Sequence, residues 1–396
     1  MAEVLSESLG RPVTAGEIGL APLQEARLPP GATFPRDPTT ALRGIIDHWS
    51  TVDRRDLLFT TTTFAASAFA APVTRWLAVS ADSATPRSDG RRIGREDVAT
   101  LWKAAALARR QDSRYGGGDW RTGSVARCLR LQAAPMLRGT YTDEVERNLY
   151  SAAAELSRAV GWAAVDMSDH RSAQRHLTNA LRLARLAGDV QSGCHVLTTT
   201  ALQTLLAGHP GEAADMAEGA YERARPAAAP RVLAFAKLVE ARAHARTGQT
   251  RGAGAALHLA ETLLGQVRAD GDPEYLAYFT HARLAADAVE IHRDLMQPAA
   301  ALRWNREAGT MSQQHFTRSV GLRASIVAAA HLQAGDLEQG LALGHRSLDI
   351  LSTVQSNRAR DYVHTLLATA TRWKRHPAVG ELATRAHREI GVPIPS

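Results

Sequence analysis

The amino-acid sequence predicts an all-α fold, a right-handed α-solenoid of about six helical pairs that follows an irregular N-terminal segment. The main observation is an internal repeat: small and leucine residues return at the same places every 40 positions, and a further small residue stands twelve positions ahead of each unit. These positions are Ala173, Leu177 and Ala180, then Ala213, Ala217 and Ala220, then Ala253, Leu257 and Ala260, preceded by Gly161, Ala201 and Ala241. Two helices approach closely only where small side chains meet, so the spacing indicates crossing helices stacked into a curved surface suited to binding.

Composition and turn signals support the same fold. Of the 396 residues, 45% are hydrophobic and only 5% aromatic, so alanine and leucine carry the apolar content, as in packed helices. Turns that contain glycine, aspartate or proline divide the later part of the chain into predicted helices. These helices are expected at 122–137, 143–167, 170–187, 190–208, 211–225, 229–247, 251–267, 274–296, 298–311, 317–334, 337–353, 358–374 and 377–391.

The pattern divides the chain into three regions. Residues 94–391 form the predicted helical repeat domain. Residues 21–93 are expected to be a proline-rich linker with connecting helices, one through Leu42–Trp49 and one from Asp53 to about Val79. Residues 1–20 form a separate short N-terminal segment.

Charge and cysteine content argue against several classes of function. The formal net charge is +7, but the arginines are spread along the chain, whereas a nucleic-acid-binding face would cluster them. We therefore expect a solvated, arginine-rich helical surface. Cys128 and Cys194 lie inside helical patterns and are expected to be buried free thiols, and their spacing suggests no metal site. No cofactor is expected.

Three consecutive glycines, Gly116 to Gly118, interrupt the helices in the loop at 111–120. Glycine runs are costly to order unless the backbone needs positive φ or close approach. Such a loop can bind an anion, but no nucleotide-binding motif surrounds this one. A tight turn between helices is the preferred interpretation.

An alternative interpretation is a helical repeat scaffold protein that is exported through a twin-arginine signal. Arg54 and Arg55 resemble a twin-arginine signal, and the mildly apolar stretch 59–71 ends in a sequence similar to a cleavage site. The stretch lies more than 50 residues from the start and contains several threonines, whereas export signals are short and N-terminal. An ordinary connecting helix in a cytoplasmic protein is the favoured interpretation.

Two resemblances add to this picture. The small–small–large–small pattern of Gly161, Ala173, Leu177 and Ala180 resembles tetratricopeptide repeats, although the step here is 40 residues and not 34. The segments RQDSRYGGGDW (110–120), VARCLRLQAAPMLRGTYTDEV (125–145) and 153–189 resemble actinobacterial regulators in which an N-terminal helix-turn-helix of the xenobiotic-response-element type precedes a tetratricopeptide-like region.

This resemblance implies a regulatory role in transcription. Residues 2–20 are similar to the last helix and tail of that family's DNA-binding domain, so residues 1–20 are expected to be its remnant, and the helix-turn-helix itself would lie upstream of Met1. DNA binding therefore carries over to no residue of this chain and would be indirect. The resemblance implies that this chain corresponds to the sensing half of such a regulator, which binds a peptide, a small signal molecule or a partner protein. The chain would form a homodimer or pair with an intact paralogue. No membrane partner is expected.

In tetratricopeptide folds the first helix of each pair lines the concave groove, so the resemblance also predicts groove residues. A groove with such side chains would suit an acidic or amphipathic peptide. The alternatives are that Trp162 belongs to the core, that His195 is structural, and that Arg242 and Arg246 form a solvated stripe. The predicted groove residues are Arg158, Trp162, Asp166, His195, Arg242 and Arg246.

No catalytic constellation is evident. Ser157 lacks the surrounding glycines of a nucleophile elbow, and the carboxylates are scattered over polar helix faces. A binding module is expected, not an enzyme.

Overall fold

The computed structural model describes residues 34–35, 37–55, 64, 66–78, 90–118, 123–268, 272–309 and 312–394. Within these ranges the protein is all-helical and contains no strand; one isolated parallel bridge joins Arg92 and Thr140. No helix in the described ranges is both long and apolar enough to cross a bilayer. Residues 1–33, and with them the expected remnant at 1–20, lie outside the described residues.

The helices are numbered in chain order. The N-terminal ones are α1 (Pro38–Arg55), α2 (Ala70–Ala78), α3 (Arg95–Tyr115) and α4 (residues 124–136, with a π-helical middle segment Leu129–Ala133). The following ones are α5 (Asp143–Asp166), α6 (His170–Leu186), α7 (Val190–Leu206), α8 (Pro210–Ala224), α9 (Pro230–Arg246), α10 (Thr250–Gly265), α11 (His281–Asp294), α12 (Pro298–Glu307), α13 (Thr317–Ala334), α14 (Leu337–Leu351), α15 (Asn357–Ala370) and α16 (Pro377–Ile390).

Neighbouring helices pack in pairs, as expected from the repeat. Helix α5 packs on α6, α7 on α8, α9 on α10, α11 on α12 and α13 on α14. The first helices of successive pairs, from α5 to α15, also contact one another in turn. All twelve positions of the 40-residue repeat are buried. At Gly161 an added Cβ would lie 3.0 Å from Cγ of Leu177, so the small residue at this crossing permits the close approach of α5 and α6.

The described part of the region expected as a linker is packed into the same body. Helix α1 lies against α4 and α6, and α2 lies against α6 and α8. Trp49 and Trp76 are 2% and 3% exposed. At Gly193 an added Cβ would come within 2.4 Å of the Trp76 indole nitrogen. The helix expected from Asp53 to Val79 is interrupted, because α1 ends at Arg55 and a 3-10 turn, Ala66–Phe69, precedes α2.

A second difference concerns the helix expected at 274–296, because helix α11 begins only at His281. Thr280 caps α11 with its hydroxyl oxygen, which accepts from the backbone N–H of Arg283 at 3.4 Å. Residues 272–279 instead form a connecting segment with a 3-10 turn at Glu274–Leu276. Leu276 and Phe279 of this segment are fully buried in the hydrophobic core.

The arginine surplus is only partly at the surface. In the part of the chain that the structure describes, six arginines are less than 9% exposed, so the expectation of a wholly solvated arginine surface was wrong. Arginine is suited to a buried position because its planar guanidinium is weakly hydrated and can form two parallel hydrogen bonds to a carboxylate. The buried arginines are Arg158, Arg182, Arg185, Arg242, Arg293 and Arg318. Cys128 and Cys194 are buried free thiols, which confirms that prediction, and burial raises the pKa of the Cys194 thiol to about 12.

Candidate functional site

The inner faces of the first helices carry buried ion pairs instead of an open groove. Glu155 on α5 accepts hydrogen bonds from Arg158 at 2.7 and 2.8 Å and from Arg109 of α3 at 2.9 Å. The imidazole Nδ1 of His195 lies 3.6 Å from the same carboxylate. Burial alone would raise the pKa of Glu155, but the charges and hydrogen bonds of Arg158, with Arg109, hold that pKa at about 2. The carboxylate is therefore ionised and its charge is already matched.

The connecting segment 272–279 fills the space beside these ion pairs. The ring of Tyr275 stacks on His195 with centroids 4.8 Å apart and faces Trp102 of α3 at 6.4 Å. Phe279 packs edge-on against Phe235 of α9 at 5.5 Å. Arg231 holds both ends of the segment through Asp272 Oδ2 at 3.1 Å and the carbonyl of Phe279 at 2.5 Å. The chain's own residues thus occupy the place where a bound peptide was expected.

Helix α3 and the last pairs meet across the interior. Arg318 of α13 donates to both carboxylate oxygens of Asp112 at 2.8 and 2.6 Å and lies 3.0 Å from Asp166 Oδ2. Arg358 of α15 places its Nε 3.2 Å from Asp166 Oδ1. The backbone N–H of Gly117 donates to Asp166 Oδ2 at 2.9 Å. We call Asp112, Gly117, Asp166, Arg318 and Arg358 the clasp, because they join the beginning of the described array to its end.

Two of the three glycines are explained by close backbone contacts beside this clasp. Gly116 has φ of 84°, and an added Cβ would lie 2.4 Å from the carbonyl oxygen of Gln355. At Gly117 the nearest atom would be the carbonyl oxygen of Ala163 at 2.2 Å. The backbone must therefore approach both partners closely, as only glycine allows. The anion that the loop binds is the side chain of Asp166.

A second buried cluster surrounds Glu290 of α11. Its carboxylate accepts from Arg242 at 2.7 Å, from Arg246 at 3.1 Å and from the Tyr362 hydroxyl at 2.8 Å. Arg246 also donates to Asp294 at 2.6 Å. Burial would raise the pKa of Glu290, but the neighbouring arginines hold that pKa well below its usual range.

A cavity of about 130 Å³ lies between the clasp and the Glu290 cluster. Its walls carry three guanidinium groups, two aliphatic side chains and several hydroxyl groups. We call it the inner cavity. It is lined by Val165, Ser168, His170, Leu206, Arg246, Arg293, Arg358, Asp361, Tyr362 and Thr365.

Four of the six predicted groove residues are buried in clusters of the chain's own charged and polar side chains. Arg158 and His195 belong to the Glu155 cluster, Asp166 to the clasp and Arg242 to the Glu290 cluster. In this conformation their charges are not open to an acidic peptide. Trp162 is half-buried, and the guanidinium carbon of Arg358 lies 4.9 Å from the centre of its ring. Arg246 is 39% exposed in its side chain and lines the inner cavity.

The partners of these residues were not predictable from the sequence. Asp112, Arg318 and Arg358 are 54 to 192 residues from Asp166 in the chain, and a single sequence carries no signal for such pairing. The run of three glycines was the available signal, because it marks a place of close backbone approach.

Comparisons of this chain with protein-family models, with curated proteins and with solved structures find no match. The candidate site therefore rests on its own geometry.

We expect the buried histidine of the Glu155 cluster to make the fold sensitive to mild acid. Burial, with the cations Arg158 and Arg109 nearby, lowers the pKa of His195 to about 3, although Glu155 acts in the opposite direction. An unfolded histidine takes up its proton near pH 6.5, so the stability that neutral His195 contributes is present above that pH and is lost as the pH falls. Between pH 6.5 and 4.5 the loss is expected to reach about 2–3 kcal/mol.

Urea denaturation at intervals from pH 7.5 to 4.5 checks this. His195→Gln should make the dependence less steep without abolishing it, because burial also lowers the pKa of other histidines, His176 among them. The exposed His258→Gln should leave the dependence unchanged. Glu155 does not interfere in this window, because its contribution is present above about pH 4.5 and is lost only as the pH falls towards about 2. An unaltered slope in His195→Gln would contradict the assignment.

Proposed function

We propose that this chain is the sensing, ligand-binding half of a transcriptional regulator, built as a right-handed, tetratricopeptide-like solenoid that acts on DNA only through a partner. The observation that supports a sensing role most directly is the inner cavity, which lies where the clasp joins the two ends of the helical array. A ligand in that place touches residues of α5, α7, α9, α11 and α15 at once. The regulatory part of the proposal rests on the sequence resemblance.

The ligand is a small signal molecule in this proposal, and not a long peptide. Helix α3 and the segment 272–279 already occupy the interior face, and the buried arginines there are paired with carboxylates. The cavity that remains, about 130 Å³, is close to the volume that holds one benzene-sized molecule.

In this proposal the clasp transmits the binding of the signal molecule to the rest of the protein. Arg358 contacts both the cavity and Asp166, so a ligand that engages Arg358 acts on the same carboxylate that holds Arg318. A change at this junction alters how the first and last helices meet, and a homodimer or an intact paralogue would respond to that change.

Deletion of the gene in its host tests this role. We expect a restricted set of transcripts to change and to recover when the wild-type gene is restored. In mobility-shift assays across a salt series, the purified chain alone should not bind the affected promoters specifically, but it should alter the shift produced by a paralogue that carries a helix-turn-helix. Unchanged transcripts, or specific binding by the chain alone, would contradict the proposal.

The cytoplasmic location belongs to the same proposal, and export through Arg54 and Arg55 is its alternative. Mass spectrometry of the protein isolated from cells separates the two. A mature N-terminus near Ala71 would favour the exported scaffold, whereas a chain that retains residues 1–71 would favour the regulator.

A further inference from the structure

We propose that the inner cavity binds a small carboxylate monoanion with a short aliphatic tail, and that the guanidinium of Arg358 holds its carboxylate. This deepens the proposed sensing function and rests on it, because it names the chemical class of the ligand at the same cavity.

Arg358 is the cavity arginine whose end groups are open. Arg246 already donates to Glu290 and Asp294, and Arg293 donates to Asp294 at 2.9 Å. Arg358 lies over the Trp162 ring with its Nε beside Asp166, and its two terminal nitrogens donate no hydrogen bond to any residue in the described ranges. Two parallel N–H groups of this kind fit a carboxylate in a two-pronged contact.

The charge of Arg358 is also incompletely matched. Within the described ranges Asp166 is the only carboxylate within ion-pair distance of Arg358, and it is shared with Arg318 and with the backbone N–H of Gly117. Asp112 and Asp361 act on the Arg358 charge only from farther away. Burial lowers the pKa of Arg358, and the nearby charge of Asp166 offsets this only in part. A second anion on the cavity side would compensate for the water contacts that the buried guanidinium has lost.

The size of the cavity limits the rest of the ligand. Val165 and Leu206 provide aliphatic wall, and the volume of about 130 Å³ compares with the roughly 150 Å³ that accommodates benzene. About six non-hydrogen atoms therefore fit, as in a carboxylate with a three-carbon tail. Asp361 is an exposed carboxylate on the cavity wall, and its negative charge disfavours a dianion such as phosphate.

Ser168 adds an observation of a different kind. It has φ of 58°, a left-handed conformation that favours glycine, and the turns 40 and 80 residues later carry Gly208 and Gly248 with φ of 92° and 73°. A serine in this place costs stability that a glycine would not. Ser168 lines the cavity, so we assign its hydroxyl as a second donor to the carboxylate.

Calorimetric titration of the full chain with butyrate tests the inference. Butyramide has the same shape without the charge, butylammonium reverses the charge, and inorganic phosphate replaces the carboxylate and tail. We expect butyrate to bind at least about tenfold more tightly than butyramide, as a two-pronged charged contact implies. Tighter binding of butylammonium or of phosphate, or equal binding of butyrate and butyramide, would overturn the proposal.

Two variants locate the contact. Arg358→Gln should weaken butyrate binding by about tenfold or more. Ser168→Gly should weaken it by about three- to fivefold, as for one lost hydrogen bond, while raising the unfolding temperature. The matched control is Met296→Gly, because Met296 has φ of 56° in another turn and does not line the cavity.

The control variant should gain stability without losing affinity. Wild-type butyrate affinity in Arg358→Gln would overturn the assignment; if that variant does not fold, unchanged affinity in Ser168→Gly has the same meaning. The transcript measurements on the deleted gene are independent of this titration. A regulatory effect without butyrate binding would therefore refute the ligand class and leave the proposed function standing.

Discussion

Replacing Arg318 by methionine is expected to destabilise the fold by about 3–5 kcal/mol, because it leaves buried carboxylates without their cation. Arg318 is 4% exposed, donates twice to Asp112 and lies 3.0 Å from Asp166, which is fully buried. Domains of ordinary stability unfold with about 5–15 kcal/mol, so this single change removes a large part of the total.

The loss should be concentrated at the clasp. Hydrogen exchange followed by mass spectrometry is expected to show faster exchange in α3, α5 and α13, which Arg318 joins through Asp112 and Asp166. Chemical denaturation gives the total change. Arg225→Met is the matched control, since Arg225 is 63% exposed and lies 3.7 Å from Glu222, and such surface pairs contribute about 0–1 kcal/mol.

A further set of variants tells whether Arg318→Met destabilises the fold through uncompensated charge or through loss of packing. If the cost arises from uncompensated negative charge, adding Asp112→Asn and Asp166→Asn to Arg318→Met should restore part of the lost stability, because neutral amides are less costly to bury than carboxylates. An Arg318→Met protein as stable as Arg225→Met would show that the clasp is not a major source of stability.

The sequence was sufficient for the local parts of the fold. The helices from α5 to α10 begin and end within about two residues of their predicted bounds. Helix crossings depend on small residues, and these residues recur in the sequence at a fixed step of 40 positions, as Ala213, Ala217 and Ala220 do. Each of these signals comes from neighbours within one helical pair.

Long-range features were not predictable in the same way. The segment 272–279 contains the apolar run Tyr275 to Phe279, which has no breaker and therefore indicates a helix. Its actual position is decided by pockets on α3, α7 and α9, far away in the chain. Burial against other elements overrode the local preference.

In the candidate site, too, the local features were predictable from the sequence and the long-range contacts were not. The slots of the repeat predicted that Arg158, Asp166, His195 and Arg242 share the inner side, and the structure brings each of them into a buried cluster. Their carboxylate and cationic partners come from helices that the repeat does not relate to them. The expected use of these residues as peptide contacts stays a prediction, since their charges are matched within the chain in this conformation.

Gly117→Ala is expected to open the clasp, with a loss of about 3 kcal/mol or more, because the new methyl group has no place to go. An added Cβ would lie 2.2 Å from the carbonyl oxygen of Ala163 and 2.9 Å from its carbonyl carbon. Both are backbone atoms of α5, so no side-chain rotation relieves the clash. The loop must retreat, and the hydrogen bond from Gly117 to Asp166 is lost with it.

Gly254→Ala is a control that predicts the opposite sign. Gly254 lies within α10, and nothing is found within 4 Å of its added Cβ, so the substitution should stabilise the helix by about 0.5–1 kcal/mol. Denaturation curves of the two variants, with hydrogen exchange at residues 112–118 and in α15, give the comparison. Because alanine keeps the backbone N–H of residue 117, a large loss in Gly117→Ala alone measures the need for close approach. Equal stability of the two variants would instead mean that the three glycines form a simple turn, and that Arg318 holds the ends together without them.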